Sequence, residues 1–92
     1  MTLAAAGLVP AGHQYASATL QDALNFQGGS GIEGATRSLL RQAVAALLNA
    51  DRLGDRYPLT ESEVREAVQD AIASGNRDTI LELKDLLTSG AP

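Results

Sequence analysis

Three segments of this chain begin with the same helix-start pattern, in which a hydroxyl residue stands three positions before a carboxylate. The pairs are Thr19 with Asp22, Ser30 with Glu33, and Thr60 with Glu63. In such a capping box the hydroxyl accepts a hydrogen bond from the third backbone N–H of the helix, and the carboxylate accepts one from the cap residue. Aliphatic residues at helical spacing follow each pair, so the pattern constrains the chain to a helical fold.

Helix-ending signals follow these starts, because glycine reaches left-handed backbone angles at low cost and so ends helices. No segment alternates strictly between apolar and polar residues, so no sheet is expected. The predicted fold class is all-α, a small bundle of about four helices with an irregular N-terminal arm. The expected boundaries are a short helix from Thr19 to Gly28-Gly29, a long one from Gly31 to about Asn49, a third from Thr60 to Gly75, and a fourth from Asn76 or Asp78 to just before Gly90.

The long second helix is apolar over more than half of its circumference, which predicts a central position with neighbours on several sides. Residues 51–59 are expected to form a loop, because Gly54 and Pro58 resist helix and Tyr57 is placed to anchor the loop on the core. Residues 1–18 contain Pro10 and several glycines and are predicted to form the irregular arm. The domain prediction is therefore an arm over 1–18 and a single helical domain over 19–92.

Composition excludes several classes of function. A formal net charge of −4 gives no basic footprint for phosphates, so no nucleic-acid partner is expected. No apolar run approaches the roughly 18 residues of a membrane span, so membrane insertion is not expected. The chain has no cysteine and one histidine, which excludes disulfides, thiolate zinc sites and multi-histidine metal sites within it. That histidine, His13, is interpreted as an exposed linker residue.

Two acidic stripes remain as candidates for chemistry. Because both lie opposite apolar stripes, solvated charge is the favoured interpretation, and a carboxylate-based cation-binding module is kept as a third hypothesis. No catalytic residue, metal site or cofactor is predicted. The stripes are Glu63, Glu66 and Asp70 on the third helix, and Asp78, Glu82 and Asp85 on the fourth.

The glycine-rich segment from Phe26 to Ile32 provides an alternative function. It resembles the modification site of a thiolation-type carrier protein, an acidic four-helix domain whose prosthetic-group serine follows Gly-Gly and one intervening residue. Here Ser30 follows Gly28-Gly29 directly, and Gly31 occupies the position expected for the serine. The resemblance implies a carrier-type domain with phosphopantetheine attached to Ser30.

A second resemblance covers residues 19–88. Its main part is the run from Ala35 to Ala50, which contains A-V-A-A-L-L-N-A, followed by Tyr57-Pro58-Leu59-Thr60 and Glu63-Val64. These segments resemble a helical module of unknown function that recurs in bacterial secreted and cell-surface proteins. The resemblance implies no catalytic residues and a secreted or cell-surface location. The upstream Trp- and Cys-containing segment of that module is replaced here by residues 1–18.

The sequence therefore predicts a non-enzymatic structural or protein-interaction module of an exported bacterial protein. A protein partner or self-association is expected through charged helix surfaces. The candidate interaction residues are the basic pair Arg37 and Arg41 on the second helix and the acidic pair Glu66 and Asp70 on the third. Such surfaces predict a weak head-to-tail contact that salt would screen.

Overall fold

The structure is a computed structural model that describes residues 1–27, 29, 31–54 and 59–89. These residues form four α-helices and no strand, which confirms the predicted all-α bundle. The one β-type pairing among them is an isolated antiparallel bridge between Thr2 and Thr19. The helices are α1 (Leu20–Leu24), α2 (Gly31–Leu53), α3 (Glu61–Ser74) and α4 (Arg77–Ser89).

Two of the three predicted capping boxes are confirmed. The Thr19 hydroxyl accepts a hydrogen bond from the Asp22 N–H at 3.0 Å, and the Asp22 carboxylate accepts one from the Thr19 N–H at 3.1 Å. Thr60 and Glu63 form the same reciprocal pair at 3.1 and 3.0 Å. These bonds satisfy backbone donors that the first helical turn leaves without partners. The third predicted cap, Ser30, lies outside the described residues.

The predicted end of α1 at Gly28-Gly29 is wrong, because the helix ends at Leu24. The Asn25 side chain donates a hydrogen bond to the Gln21 carbonyl at 3.1 Å, and the Asn25 N–H donates to the Asp22 carbonyl at 3.0 Å. These bonds satisfy carbonyls of the last turn, so a local asparagine ends the helix before the glycines are reached.

The predicted end of α2 near Asn49 is also too early, and residues 51–53 are helical rather than part of a loop. Leu53 is half-buried and packs against the core, which favours one more turn of helix. Gly54 follows with a φ of 56°, a left-handed conformation that glycine adopts without strain. The predicted anchor Tyr57 and the neighbouring Pro58 lie outside the described residues.

The starts and ends of the last two helices follow the prediction. α3 ends at Gly75, whose φ of 63° makes it a left-handed cap. Asn76 then caps the start of α4, because its side-chain oxygen accepts hydrogen bonds from the N–H groups of Asp78 and Thr79 at 2.9 and 3.2 Å. The connection between α3 and α4 is short, and the two helices contact each other.

The core surrounds α2, which contacts each of the other three helices and so has the predicted central position. Its fully buried side chains are Leu39, Leu40, Ala43 and Val44. Within the described residues no buried side-chain polar atom lacks a hydrogen-bond partner. The helix is therefore packed on several sides by apolar surface.

Residues 1–18, the N-terminal segment, are irregular as predicted but belong to the same core. Leu3 and Leu8 are fully buried within it. The Leu3 N–H donates to the Ala18 carbonyl at 2.8 Å, and the Leu20 N–H donates to the Met1 carbonyl at 3.0 Å. These bonds hold the segment against the start of α1, so its two leucines pack into the core although the segment is not helical.

Candidate functional site

A groove of about 500 Å³ lies between α3 and α4. Its deeper residues are short or apolar: Ala71 is buried, and Ala67 and Leu83 are half-buried. Leu86 lies at its edge with 61% of its surface exposed. Its lining, here called the α3–α4 groove, consists of Ala67, Asp70, Ala71, Thr79, Glu82, Leu83 and Leu86.

The groove exists because α3 presents small side chains toward α4. Ala67 and Ala71 are one helical turn apart, so they lie on the same face and leave space where longer side chains would fill it. On the other side, Leu83 and Leu86 are three residues apart and also share a face. The result is a cleft with apolar surface on both walls.

The charge of the groove is negative. Asp70 on α3 and Glu82 on α4 both line it, and both are exposed. Neither carboxylate has an ion-pair partner within the described part of the chain. The groove therefore combines apolar surface with two negative charges that no cation of the described residues neutralises.

The structure separates the other members of the predicted acidic stripes. Glu63 caps α3, and the Asp85 carboxylate lies 2.8 Å from the Lys84 ammonium. Glu66 and Asp78 are exposed and do not line the groove. Among residues 1–27, 29, 31–54 and 59–89, no three His, Cys, Asp or Glu side chains are grouped closely enough to hold a metal ion.

The guanidinium of Arg37, one member of the predicted basic pair on α2, forms hydrogen bonds within the chain. Nε donates to the Gln27 carbonyl at 3.0 Å, and one terminal nitrogen donates to the Tyr15 hydroxyl at 3.0 Å. The same nitrogen lies 3.2 Å from the Glu33 carboxylate, which also accepts a hydrogen bond from Tyr15 at 3.1 Å. The hydrogen bond that the guanidinium donates to the Tyr15 hydroxyl is the main cause that raises the pKa of Arg37 above its ordinary value.

This cluster joins three segments that are distant in sequence. Tyr15 comes from the N-terminal segment, Gln27 from the connection between α1 and α2, and Arg37 from α2. The Tyr15 ring also packs against Phe26, with ring centroids 5.2 Å apart. These bonds connect the start of α2 to the N-terminal segment.

The exposed basic surface of α2 lies elsewhere. Arg41 and Arg52 are both exposed and have no ion pair within the described part of the chain. Leu48 lies between them with 46% of its surface exposed. Positions 41, 45, 48 and 52 are spaced by four, three and four residues, so they share one helix face. We call these four residues, Arg41, Ala45, Leu48 and Arg52, the α2 stripe.

A second groove of about 450 Å³ lies where the N-terminal segment meets α2 and α3. Its charges are mixed, because the Arg65 guanidinium lies 3.5 Å from the Glu61 carboxylate and Asp51 also lines the groove. Its apolar lining includes Met1, Leu20 and Leu47. The internal ion pair leaves this groove with less uncompensated charge than the α3–α4 groove.

His13 is half-buried, so its interpretation as an exposed linker residue is wrong. Its Nδ1 accepts a hydrogen bond from the Tyr15 N–H at 3.1 Å, and its ring centroid lies 5.6 Å from that of Tyr15. The imidazole thus stabilises the turn that places the Tyr15 hydroxyl beside the Arg37 guanidinium. Ser30, the residue of the carrier hypothesis, lies outside the described residues.

Sequence reasoning missed the groove and the α2 stripe for the same reason. A period of three to four residues identifies an apolar face but assigns every leucine on or near that face to the core. The sequence signal that could have identified the stripe is the helical spacing of Arg41, Ala45, Leu48 and Arg52. The exposure of Leu86 among the described residues has no comparable sequence signal.

Comparison with known proteins gives no relative from which a function could be transferred: no family model, curated protein or solved structure matches this chain. Among the described residues, no helix has both the length and the apolar character needed to cross a membrane.

Proposed function

We propose that this protein is a non-enzymatic protein-interaction module whose α3–α4 groove binds an apolar, positively charged segment of a partner. The observation that carries the proposal is that one groove holds an exposed leucine, Leu86, together with two carboxylates that have no ion-pair partner among the described residues, Asp70 and Glu82. Each half of this combination sets one requirement for the partner.

The apolar half supplies affinity. Removing a large aliphatic side chain from water contributes about 1.5–3 kcal/mol when the whole side chain is buried. Leu86 still has 61% of its surface to bury, and it adjoins the half-buried Ala67 and Leu83. A partner with one or two aliphatic side chains at this position would therefore gain from docking.

The charged half supplies selectivity. Asp70 and Glu82 lie on opposite helices, so a cationic side chain at either edge of the groove meets a carboxylate. Complementary charge at an interface raises the association rate and rejects partners of the wrong sign. The groove should therefore favour lysine- or arginine-bearing segments and disfavour acidic ones.

The proposal assigns no catalytic role, since the charged side chains described above either form pairs that hold the fold or lie on exposed helix faces. It places the module in an exported bacterial protein, and that part is supported only by the resemblance of the Ala35–Ala50 region and the Tyr57–Val64 region. The binding experiment below tests the interaction role independently of location.

The direct test is an NMR titration of the ¹⁵N-labelled protein with a synthetic amphipathic helical peptide built from leucine and lysine. We expect the largest amide shift changes at residues of the groove, including Ala67, Leu83 and Leu86. A peptide of the same pattern with glutamate in place of lysine should produce much smaller changes, because it brings like charges together.

Two variants with the same change of charge separate the groove from general electrostatics. Glu82→Lys should weaken binding of the lysine peptide by about threefold to tenfold, which corresponds to roughly 0.7–1.4 kcal/mol. Asp51→Lys changes an exposed acid outside the α3–α4 groove and should leave the affinity nearly unchanged. Shift changes confined to another surface, or equal losses for both variants, would contradict the proposed site.

A further inference from the structure

We infer that the partner of the α3–α4 groove is a second copy of this chain, which docks through its α2 stripe. This inference depends on the proposed function, because it names the occupant of the same groove. It is carried by the complementarity of two exposed surfaces of one molecule. One surface has a leucine with an arginine on each side of it along the helix, and the other has a leucine in the same groove as an aspartate and a glutamate.

The α2 stripe has the chemistry that the groove requires. Leu48 is 46% exposed, and Arg41 and Arg52 lie about two turns before it and one turn after it on the same face. The stripe therefore spans about 16 Å along the helix axis, at a rise of roughly 1.5 Å per residue. Ala45, which is half-buried within it, is short enough to permit close approach of another helix.

The other cations of the described helices are less suited to this role. Arg37 is held by Tyr15, Glu33 and the Gln27 carbonyl, as described above. Arg65 lies 3.5 Å from Glu61, and Lys84 lies 2.8 Å from Asp85. These three charges already face partners within the chain, and Arg77 is exposed but has no second arginine on α4. The stripe is therefore the exposed basic surface best able to meet a second molecule.

The geometry of such a contact is head-to-tail. The stripe and the groove have no residue in common, so one molecule can present its stripe to a neighbour while its own groove accepts another. Contacts of this type close into rings or continue as open chains, depending on the rotation between neighbours. The small area of each surface predicts weak association at high protein concentration.

Sedimentation velocity across a range of protein and salt concentrations tests the inference. We expect the weight-average sedimentation coefficient to rise with protein concentration in about 10 mM salt. The rise should disappear in about 1 M salt, because the Debye length falls from roughly 30 Å to roughly 3 Å. A chain that stays monomeric at millimolar concentration in low salt would overturn the inference.

Charge reversal on either surface gives a sharper test. The α2 variant Arg41→Glu/Arg52→Glu and the groove variant Asp70→Lys/Glu82→Lys should each be monomeric alone, because each places like charges at the contact. Mixed in equal amounts they should associate again, since the glutamates of one variant meet the lysines of the other. The groove variant also removes the net charge of −4, so general repulsion predicts more self-association for it, not less.

A matched control carries the same type of substitution outside both surfaces. Arg77→Glu changes an exposed residue and should keep the salt-dependent association of the parent chain. Mixed variants that remain monomeric would overturn the head-to-tail contact. If the lysine peptide still bound the groove in that case, the proposed function would stand and only its occupant would be wrong. Loss of peptide binding as well would contradict both the proposed function and the head-to-tail contact.

Discussion

The guanidinium of Arg37 donates a hydrogen bond to the hydroxyl of Tyr15 across 22 positions of sequence, at 3.0 Å. Both groups also contact the Glu33 carboxylate, so the three side chains form a closed polar triangle. The triangle connects the N-terminal segment to the first turns of α2. It engages the Arg37 guanidinium within the chain, less than two turns after the first residue of α2.

Tyr15→Phe tests the contribution of this triangle to stability. The substitution keeps the ring that packs on Phe26 but removes the hydroxyl that accepts from Arg37. We expect the free energy of unfolding to fall by about 0.5–1.5 kcal/mol, the usual net contribution of one hydrogen bond. Urea denaturation measures it, with Gln14→Ala as an exposed neighbouring control. Equal midpoints for both variants would show that the triangle contributes nothing.

Thr60→Ala tests the cap of α3. Without the hydroxyl the Glu63 N–H loses its acceptor, and the reciprocal geometry of the capping box is lost. The expected loss of stability is on the order of 1 kcal/mol. Ser62→Ala is the matched control, because it removes a hydroxyl from an exposed position inside the same first turn, where alanine is a better helix former. A thermal melt that ranks the two variants in the opposite order would contradict the cap.

These caps were predictable from the sequence because each depends on residues three positions apart. The same local reasoning located Gly75 as the end of α3. It failed for α1, where the Asn25 side chain bonds to Gln21 and ends the helix early. Local patterns therefore determine most helix starts, while a single side-chain hydrogen bond can move a helix end by several residues.

Contacts between helices and segments could not be predicted from the sequence in the same way. The use of Arg37 by Tyr15 depends on a contact between segments far apart in sequence, which no spacing rule reports. The exposure of Leu48 and Leu86 depends on the lack of a covering neighbour among the described residues, and helical periodicity treats such leucines as core. The candidate groove is therefore a property of the packing of α3 against α4 rather than of either helix alone.

Gly34→Ala tests a close approach of the chain to the start of α2. A methyl group at this position would overlap the carbonyl of Gly29 and would lie 2.8 Å from its Cα. Alanine in a helix ordinarily gains about 1 kcal/mol over glycine, so a simple helix would be stabilised. We expect a loss of about 1–3 kcal/mol instead, because backbone atoms must move. Gly12→Ala is the control, since nothing lies within 4 Å of its added methyl group. Stabilisation by both substitutions would show that the close approach is absent in solution.

Leu3→Ala tests whether the N-terminal segment is part of the folded core. Leu3 is fully buried although its segment has no regular secondary structure, and its backbone N–H is bonded to the Ala18 carbonyl. Truncating a buried leucine removes its transfer free energy and leaves a cavity, so we expect a loss of about 2–5 kcal/mol. Leu86→Ala is the control, because the same truncation at a side chain that is 61% exposed should change stability by less than about 1 kcal/mol. Chemical denaturation of both variants gives the comparison. If Leu3→Ala were as harmless as Leu86→Ala, residues 1–18 would be a detachable arm, and the core would consist of the four helices alone.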